Sequence, residues 1–275
     1  MKKLLIWYIL LVGYINAASP DPVFGENGMV VSTSRQASIA GIEILKKGGN
    51  AVDAACATGF VLAVTSSSNG NIGGGGFMVV HKEDSTIFTL DYREIAPAAA
   101  HRDMFLDSNG EVIDNMSLRT RAASGVPGSV DGLLKAWKDH GSGNISRREL
   151  LAPAIALAER GFELSHYEAK RFNDNKDLFL KNKAAAKIFI RGDRKPWKAG
   201  DRFIQKDLAR TLKRISREGR DGFYTGKTAD LIIAEMNRGI GLITHWDLLH
   251  YESKYRNPIR GSFNEYDIIS MGLPS

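Results

Sequence analysis

Four consecutive glycines at 73–76 constrain this chain more than any other segment. They follow a polar stretch at 66–71 and lead directly into the apolar run at 77–80. A glycine run is needed where backbone passes close to another surface or adopts positive φ repeatedly, and a flexible connector is the alternative. Because Ile72 and Phe77 flank the run with apolar side chains, the sequence favours close packing.

The glycine run does not match the known phosphate-binding loops. A P-loop carries Lys and then Ser or Thr directly after its last glycine, and Phe77 and Met78 occupy those positions. A dinucleotide-binding turn lies between a strand and a helix. Here the glycines follow a helical segment and precede a strand. We therefore predict no bound cofactor.

Hydrophobic periodicity predicts one continuous α/β unit. Two helices are predicted over 32–64, broken at Gly48 and Gly49, with hydroxyls at 32–34 capping the first and Asn50 capping the second. A strand hairpin is predicted at 77–81 and 86–93. The further predictions are a helix after Gly128, helices at 146–159, 167–180, 205–218 and 228–237, and a strand at 266–270.

The first 18 residues have the pattern of a secretory signal peptide. Lys2 and Lys3 precede an apolar run at 4–15, and small residues follow, with cleavage expected after Ala17 or Ala18. The run is short compared with the roughly 20 residues of a membrane span. An N-terminal anchor is the alternative interpretation. We expect an exported protein, periplasmic or extracellular, with no stable membrane span.

The charge balance argues against a nucleic-acid partner. The chain has 37 basic and 31 acidic residues, a formal charge of +6. Loss of Lys2 and Lys3 with the signal peptide would leave 35 − 31 = +4, which indicates an ordinary mixed-charge surface.

Few residue patterns indicate catalysis. The single cysteine, Cys56, excludes an internal disulfide and lies in an apolar helical stretch, so we expect a buried core residue. The six histidines are dispersed without the spacing of a zinc site, and we predict no metal site. The sequence contains no Gly-x-Ser-x-Gly motif, which is the motif that would indicate a serine hydrolase.

Arg93 is the candidate binding residue. It lies at the end of a predicted strand, where α/β proteins place ligand contacts. A guanidinium can hold a carboxylate through two parallel hydrogen bonds, which a lysine cannot do. A structural ion pair with Asp91 or Glu94 is the alternative.

Six blocks of the sequence, in order, resemble the N-terminal part of the γ-glutamyltranspeptidase family. Their order and approximate spacing match over nearly all of residues 24–275. The blocks are 28–32, 48–55, 72–78, 92–97, 123–128 and 239–244.

The resemblance implies an α/β (α+β) fold of the N-terminal nucleophile hydrolase type, an αββα sandwich that would be incomplete at the C-terminus. In such enzymes a precursor cuts itself into a large and a small subunit and frees a threonine nucleophile. Residues 19–275 would be the truncated large-subunit part, with the small subunit as partner. The family's reaction moves a γ-glutamyl group from glutathione or another γ-glutamyl donor to water or an amine. The family's arginine at the block matched by 92–97 binds the donor's α-carboxylate, which implies this role for Arg93.

The resemblance also implies what this chain does not contain. The threonine nucleophile would lie beyond Ser275, so no catalytic residue is assigned within the sequence. We expect the isolated chain to be inactive and incompletely folded, because the strand at 266–270 would lose its sheet partners. The alternatives are a related cephalosporin or glutaryl acylase and a non-catalytic periplasmic solute-binding protein. An arginine suited to an α-carboxylate favours a γ-glutamyl donor.

Overall fold

The computed structural model describes residues 21–273, so the predicted signal peptide at 1–18 lies outside the described residues. No helix between residues 21 and 273 is long and apolar enough to cross a bilayer. The helices are α1 (Arg35–Lys46), α2 (Ala51–Thr65), α3 (Met116–Arg119), a 3-10 turn (Arg121–Ala123), α4 (Ser129–His140), α5 (Arg147–Arg160), α6 (His166–Asp174), α7 (Lys176–Leu180), α8 (Lys183–Phe189), α9 (Lys206–Glu218), α10 (Asp221–Tyr224), α11 (Gly226–Met236) and α12 (His245–His250).

Between residues 21 and 273 the strands form three small antiparallel sheets, so the fold mixes helix and sheet as predicted. They are β1 (Phe77–His81), β2 (Ile87–Asp91), β3 (Phe162–Glu163), β4 (Arg202–Phe203), β5 (Lys254–Arg256), β6 (Ile259–Phe263) and β7 (Tyr266–Ser270). The described sheets have the orders β1-β2-β5, β3-β4 and β6-β7.

The predicted helical hairpin at 32–64 is present, and its second helix is capped as expected. Oδ1 of Asn50 accepts from the amides of Val52 and Asp53 at 2.9 and 3.0 Å, and the Asp53 carboxylate accepts from the Asn50 amide. This capping box satisfies amides that a helix start leaves unpaired.

The serine cap predicted for α1 is wrong. Ser34 precedes α1, but its side chain caps no helix amide. Its hydroxyl instead donates to Gln36 at 3.1 Å and accepts from Thr65 at 2.8 Å. The hydroxyl therefore links α1 to the end of α2.

Helix α2 lies at the centre of the core. It packs against α1, α4 and α5, and Cys56, Phe60 and Val64 are fully buried. Burial raises the pKa of the Cys56 thiol far above its usual range, with the Asp53 carboxylate adding to the shift. The prediction that Cys56 is a core residue is confirmed.

The predicted strand hairpin at 77–81 and 86–93 is confirmed, and it gains a third strand. Strands β1 and β2 pair antiparallel with Phe77 opposite Asp91, and β5 pairs with the other edge of β2, with Asp91 opposite Lys254. A late segment of the chain therefore lies beside the strand that leads to Arg93.

Two predicted elements differ from the structure. The helix expected at 167–180 is interrupted at Asn175, whose side-chain amide donates to the Arg171 carbonyl at 2.9 Å and ends α6. The strand expected to lose its partners, β7, pairs with β6, with Phe263 opposite Tyr266. This terminal hairpin is largely exposed.

The glycine run is closely packed, which confirms the favoured interpretation. None of glycines 73–76 has a positive φ, so conformation does not explain the run. A Cβ on Gly75 would lie 2.5 Å from the Tyr92 oxygen and 2.7 Å from the Glu94 nitrogen, and one on Gly76 would lie 2.9 Å from the Tyr92 ring. The backbone at 92–94 occupies the space that side chains would need.

We expect Gly75→Ala to destabilise the folded protein by about 2 kcal/mol, because the added methyl meets three backbone atoms of the segment 92–94 and cannot be accommodated by a side-chain rotation. Gly192→Ala is the matched control, because a Cβ there has nothing within 4 Å. It should change stability by less than about 1 kcal/mol. Urea unfolding of the full-length variants measures both, and equal midpoints would contradict the close packing.

Candidate functional site

Arg93 lies two residues beyond the end of β2, and its side chain is exposed. Its guanidinium carbon is 5.8 Å from the centroid of the Phe77 ring. The neighbouring carboxylate of Asp91 forms an ion pair with Arg256, whose Nε and Nη2 lie 3.1 and 3.0 Å from Oδ2. The Arg93 main-chain amide donates to Oδ1 of Asp91 at 3.1 Å.

The main chain around Arg93 is held on both sides along the sequence. Before it, Tyr92 and Gly76 exchange two backbone hydrogen bonds of 3.0 and 3.3 Å. After it, Ile95 and Val126 exchange two bonds of 2.8 and 3.3 Å. At Arg93 itself, the carbonyl accepts a 2.8 Å hydrogen bond from the hydroxyl of Tyr251.

The start of α4 is pressed against this segment, because glycines stand at the contact points. A Cβ on Gly128 would lie 2.0 Å from the Tyr92 oxygen and 2.1 Å from the Tyr251 hydroxyl. A Cβ on Gly132 would lie 2.2 Å from Cβ of Tyr92. Burial raises the pKa of Tyr92 to about 12, so this side chain is a neutral packing element at physiological pH.

An ion pair between the partly exposed Arg220 and the buried Asp131 supports the main chain of Tyr251. Nε of Arg220 lies 2.8 Å from Oδ1 of Asp131, and Nη2 donates to the Tyr251 carbonyl at 2.5 Å. The other Asp131 oxygen accepts from the amide and hydroxyl of Ser253 at 2.9 and 2.6 Å. The Tyr251 ring stacks on that of Tyr224, with centroids 5.7 Å apart. Burial, with Asp131 nearby, raises the pKa of Tyr251, so its hydroxyl stays protonated and can donate.

The sequence named Arg93 as a candidate and Asp91 as its neighbour, but it did not point to the more distant residues that hold the segment. Tyr251, Asp131 and Arg220 are separated from Arg93 by long stretches of chain, and no local motif marks them. The only sequence signal was the glycine of the 123–128 block, which allows α4 to approach Tyr92.

The described side chains are better suited to binding a ligand than to cleaving a bond in it. The thiol of Cys56 is buried and its pKa is raised, so it is not a reactive thiolate. The Thr244 hydroxyl donates to Asp247 at 2.6 Å as the cap of α12. Between residues 21 and 273 no cluster of three or more His, Cys, Asp or Glu side chains could hold a metal ion. The arrangement at Arg93 is an exposed cation on a fixed main chain, which suits the binding of a carboxylate.

Known proteins resemble this chain over most of its length. The family model described as gamma-glutamyltranspeptidase matches residues 37–275. The chain is 42% identical to a glutathione hydrolase proenzyme from Pseudomonas sp. (strain A14), over 95% of this chain and 45% of that protein. It is 36% identical to an acylase ACY 1 proenzyme from Pseudomonas sp. (strain SE83), over 92% of this chain and 46% of that protein. The chain thus spans a little under half the length of these relatives.

A solved structure supports the same relationship. The γ-glutamyltranspeptidase of Helicobacter pylori superimposes with a TM-score of 0.89 at 41% identity, covering 93% of this chain and 72% of that chain. The α/β fold predicted from the resemblance, that of the N-terminal nucleophile hydrolases, is therefore confirmed. The ordered motifs, the family match and the superposition together show that this chain belongs to the γ-glutamyltranspeptidase family.

Proposed function

We propose that the full-length protein carrying this chain hydrolyses or transfers the γ-glutamyl group of glutathione and related compounds. Residues 19–275 form part of the large subunit in this proposal, and Arg93 binds the α-carboxylate of the γ-glutamyl group. The observation that carries the proposal is the exposed Arg93 guanidinium on a main chain held at its amide and its carbonyl. Family membership supplies the reaction class.

Arg93 contributes to this reaction by binding and orientation. Its planar guanidinium can donate two parallel hydrogen bonds to a carboxylate, which fixes both the position and the rotation of the donor. Orientation of this kind lowers the barrier because the scissile carbonyl is presented in one geometry. The threonine hydroxyl expected from the rest of the protein would form an ester with the γ-carbonyl carbon, and the amine would leave with a proton. Water or an acceptor amine would then take the acyl group and free the threonine.

We also propose a second subunit as the partner of this chain and an exported location. The relatives named above are proenzymes, which agrees with a chain that is cut after synthesis. The exposed β6-β7 hairpin presents Ile259, Phe263 and Tyr266, which are 55%, 66% and 65% exposed. An apolar surface of this kind suits burial by further chain. The export proposal rests on the pattern at residues 1–18.

An acylase is the second candidate function, favoured by the similarity to the acylase ACY 1 proenzyme. A glutaryl group has the same distal carboxylate as a γ-glutamyl group but lacks the α-amine, so Arg93 suits both. The higher identity to a glutathione hydrolase proenzyme favours the γ-glutamyl donor. Comparing kcat/KM for γ-glutamyl-p-nitroanilide and glutaryl-p-nitroanilide in the full-length protein decides between them, because only the amine differs.

In the full-length protein, Arg93→Ala should raise KM for γ-glutamyl-p-nitroanilide by on the order of 100-fold, because two charge-assisted hydrogen bonds are lost. Arg93→Lys keeps the charge but loses the two-point geometry and should raise KM by about 10-fold. Release of p-nitroaniline gives KM and kcat. Arg102→Ala is the control, since the Arg102 side chain is 95% exposed. A KM for Arg93→Ala equal to that of the control would refute the assignment.

The purified chain of residues 19–275 should release no p-nitroaniline from γ-glutamyl-p-nitroanilide above the rate of the enzyme-free blank. The reason is that the proposed nucleophile is supplied by the rest of the protein, while Cys56 is buried and Thr244 caps a helix. The full-length protein at equal concentration is the positive control. Turnover by the isolated chain would place the nucleophile within it and contradict the proposal.

A further inference from the structure

We propose that Tyr251 is a positioning residue for substrate binding: its hydroxyl fixes the Arg93 carbonyl and so sets where the guanidinium meets the donor carboxylate. The inference deepens the proposed function and rests on it, because it presupposes that Arg93 binds the donor. Tyr251 does not touch the substrate in this proposal. It acts through the main chain of Arg93.

At Arg93 the main chain is held by hydrogen bonds to side chains and not by strand pairing. The backbone of Tyr92 is hydrogen-bonded to that of Gly76, and the backbone of Ile95 is hydrogen-bonded to that of Val126. The strand-like pairing therefore changes partner on the two sides of Arg93. In between, the Arg93 amide donates to Asp91 Oδ1 at 3.1 Å, and the Arg93 carbonyl accepts from the Tyr251 hydroxyl at 2.8 Å. The Tyr251 bond opposes rotation of the peptide after Arg93 and so restrains the main chain that carries the guanidinium.

Tyr251 can act as a fixed support because it is itself immobilised. The residue is 2% exposed, and its ring lies nearly parallel to that of Tyr224, at an interplanar angle of 8°. Its carbonyl accepts from Arg220 at 2.5 Å. A Cβ on Gly128 would lie 2.1 Å from the Tyr251 hydroxyl, so the start of α4 closes the space beside this hydroxyl. A tyrosine held at the main chain, the ring and the hydroxyl has little freedom to move.

The Arg220 side chain connects this support to the core. Its guanidinium carbon lies 4.5 Å from the centroid of the Tyr224 ring, and its Nε is paired with the buried carboxylate of Asp131. The Tyr224 hydroxyl donates to the carbonyl of Pro127 at 2.8 Å, next to the start of α4. The support for Arg93 is therefore continuous from α4 through α10 to Tyr251.

The test is Tyr251→Phe in the full-length protein, which removes the hydroxyl and keeps the stacked ring. We expect KM for γ-glutamyl-p-nitroanilide to rise about 5-fold, the size of one lost neutral hydrogen bond, with kcat within about 2-fold of wild type. With 4-aminobutyryl-p-nitroanilide, which lacks the carboxylate, the same substitution should leave KM unchanged. Selectivity for carboxylate donors is not expected from general destabilisation.

Tyr255→Phe is the matched control. The Tyr255 hydroxyl donates to Asp139 at 2.9 Å, so the substitution removes one hydrogen bond of similar length from a neighbouring tyrosine. The Tyr255 hydroxyl does not bond to Arg93, so the KM of the Tyr255→Phe variant for both donors should equal that of wild type. Thermal unfolding of both variants shows whether their stabilities are comparable.

A double-mutant cycle adds an independent readout. In the Arg93→Ala background, Tyr251→Phe should cause no further rise in KM, because the group that it positions is absent. Additive effects of the two substitutions would overturn the positioning role.

The outcomes separate this inference from the proposed function. If Arg93→Ala raises KM and Tyr251→Phe behaves like Tyr255→Phe, the positioning role is wrong and the carboxylate anchor stands. If Arg93→Ala leaves KM unchanged, the anchor itself is wrong. Should Tyr251→Phe yield no folded protein, Arg220→Lys is measured instead. It removes the bond to the Tyr251 carbonyl, and the same selective rise in KM is required.

Discussion

The backbone of Gly75 lies directly against the backbone of Arg93, and the arrangement of the site depends on this approach. A Cβ on Gly75 would be 2.8 Å from Cα of Arg93, closer than any side chain could tolerate. The same loop accepts hydrogen bonds from the start of α4, because the Gly74 carbonyl takes the amides of Gly128 and Ser129 at 2.8 and 2.9 Å. One glycine-rich segment therefore joins the strand that ends before Arg93 to the helix that supports it.

The second support is electrostatic, and its value depends on complete pairing. Asp131 is 8% exposed, and a buried carboxylate is costly unless hydrogen bonds replace its hydration. Here the carboxylate receives bonds from Arg220 and from both the amide and hydroxyl of Ser253. Because Arg220 also holds the main chain at 248–251, the charge pair fixes the place where Tyr251 leaves α12.

Sequence patterns predicted the parts of this structure that depend on interactions between residues close together in the chain. Asn50 with Asp53 predicted a capped helix, and the apolar run after the glycines, followed by a charged turn and a second strand-like run, predicted the hairpin. The Ser34 cap was wrong because a residue at the far end of α2, Thr65, engages the hydroxyl. Arg93 could be named as a candidate because it ends a predicted strand and lies in a block that resembles the family's carboxylate-binding arginine. Tyr251 could not be named, because its hydrogen bond to Arg93 spans 158 positions of the chain.

The dependence of the Arg93 main chain on residues far away in the sequence has a physical reason. A guanidinium binds a carboxylate at two points more tightly when its own main chain is already fixed, because less conformational freedom is lost on binding. On one side the neighbouring Asp91 holds the Arg93 amide and is itself held by the distant Arg256. On the other side the distant Tyr251, held by Arg220, binds the Arg93 carbonyl. The proposed carboxylate binding at Arg93 would therefore be coupled to folding of the region from α4 to β5, because the main chain of Arg93 acquires these contacts only when the segments pack together.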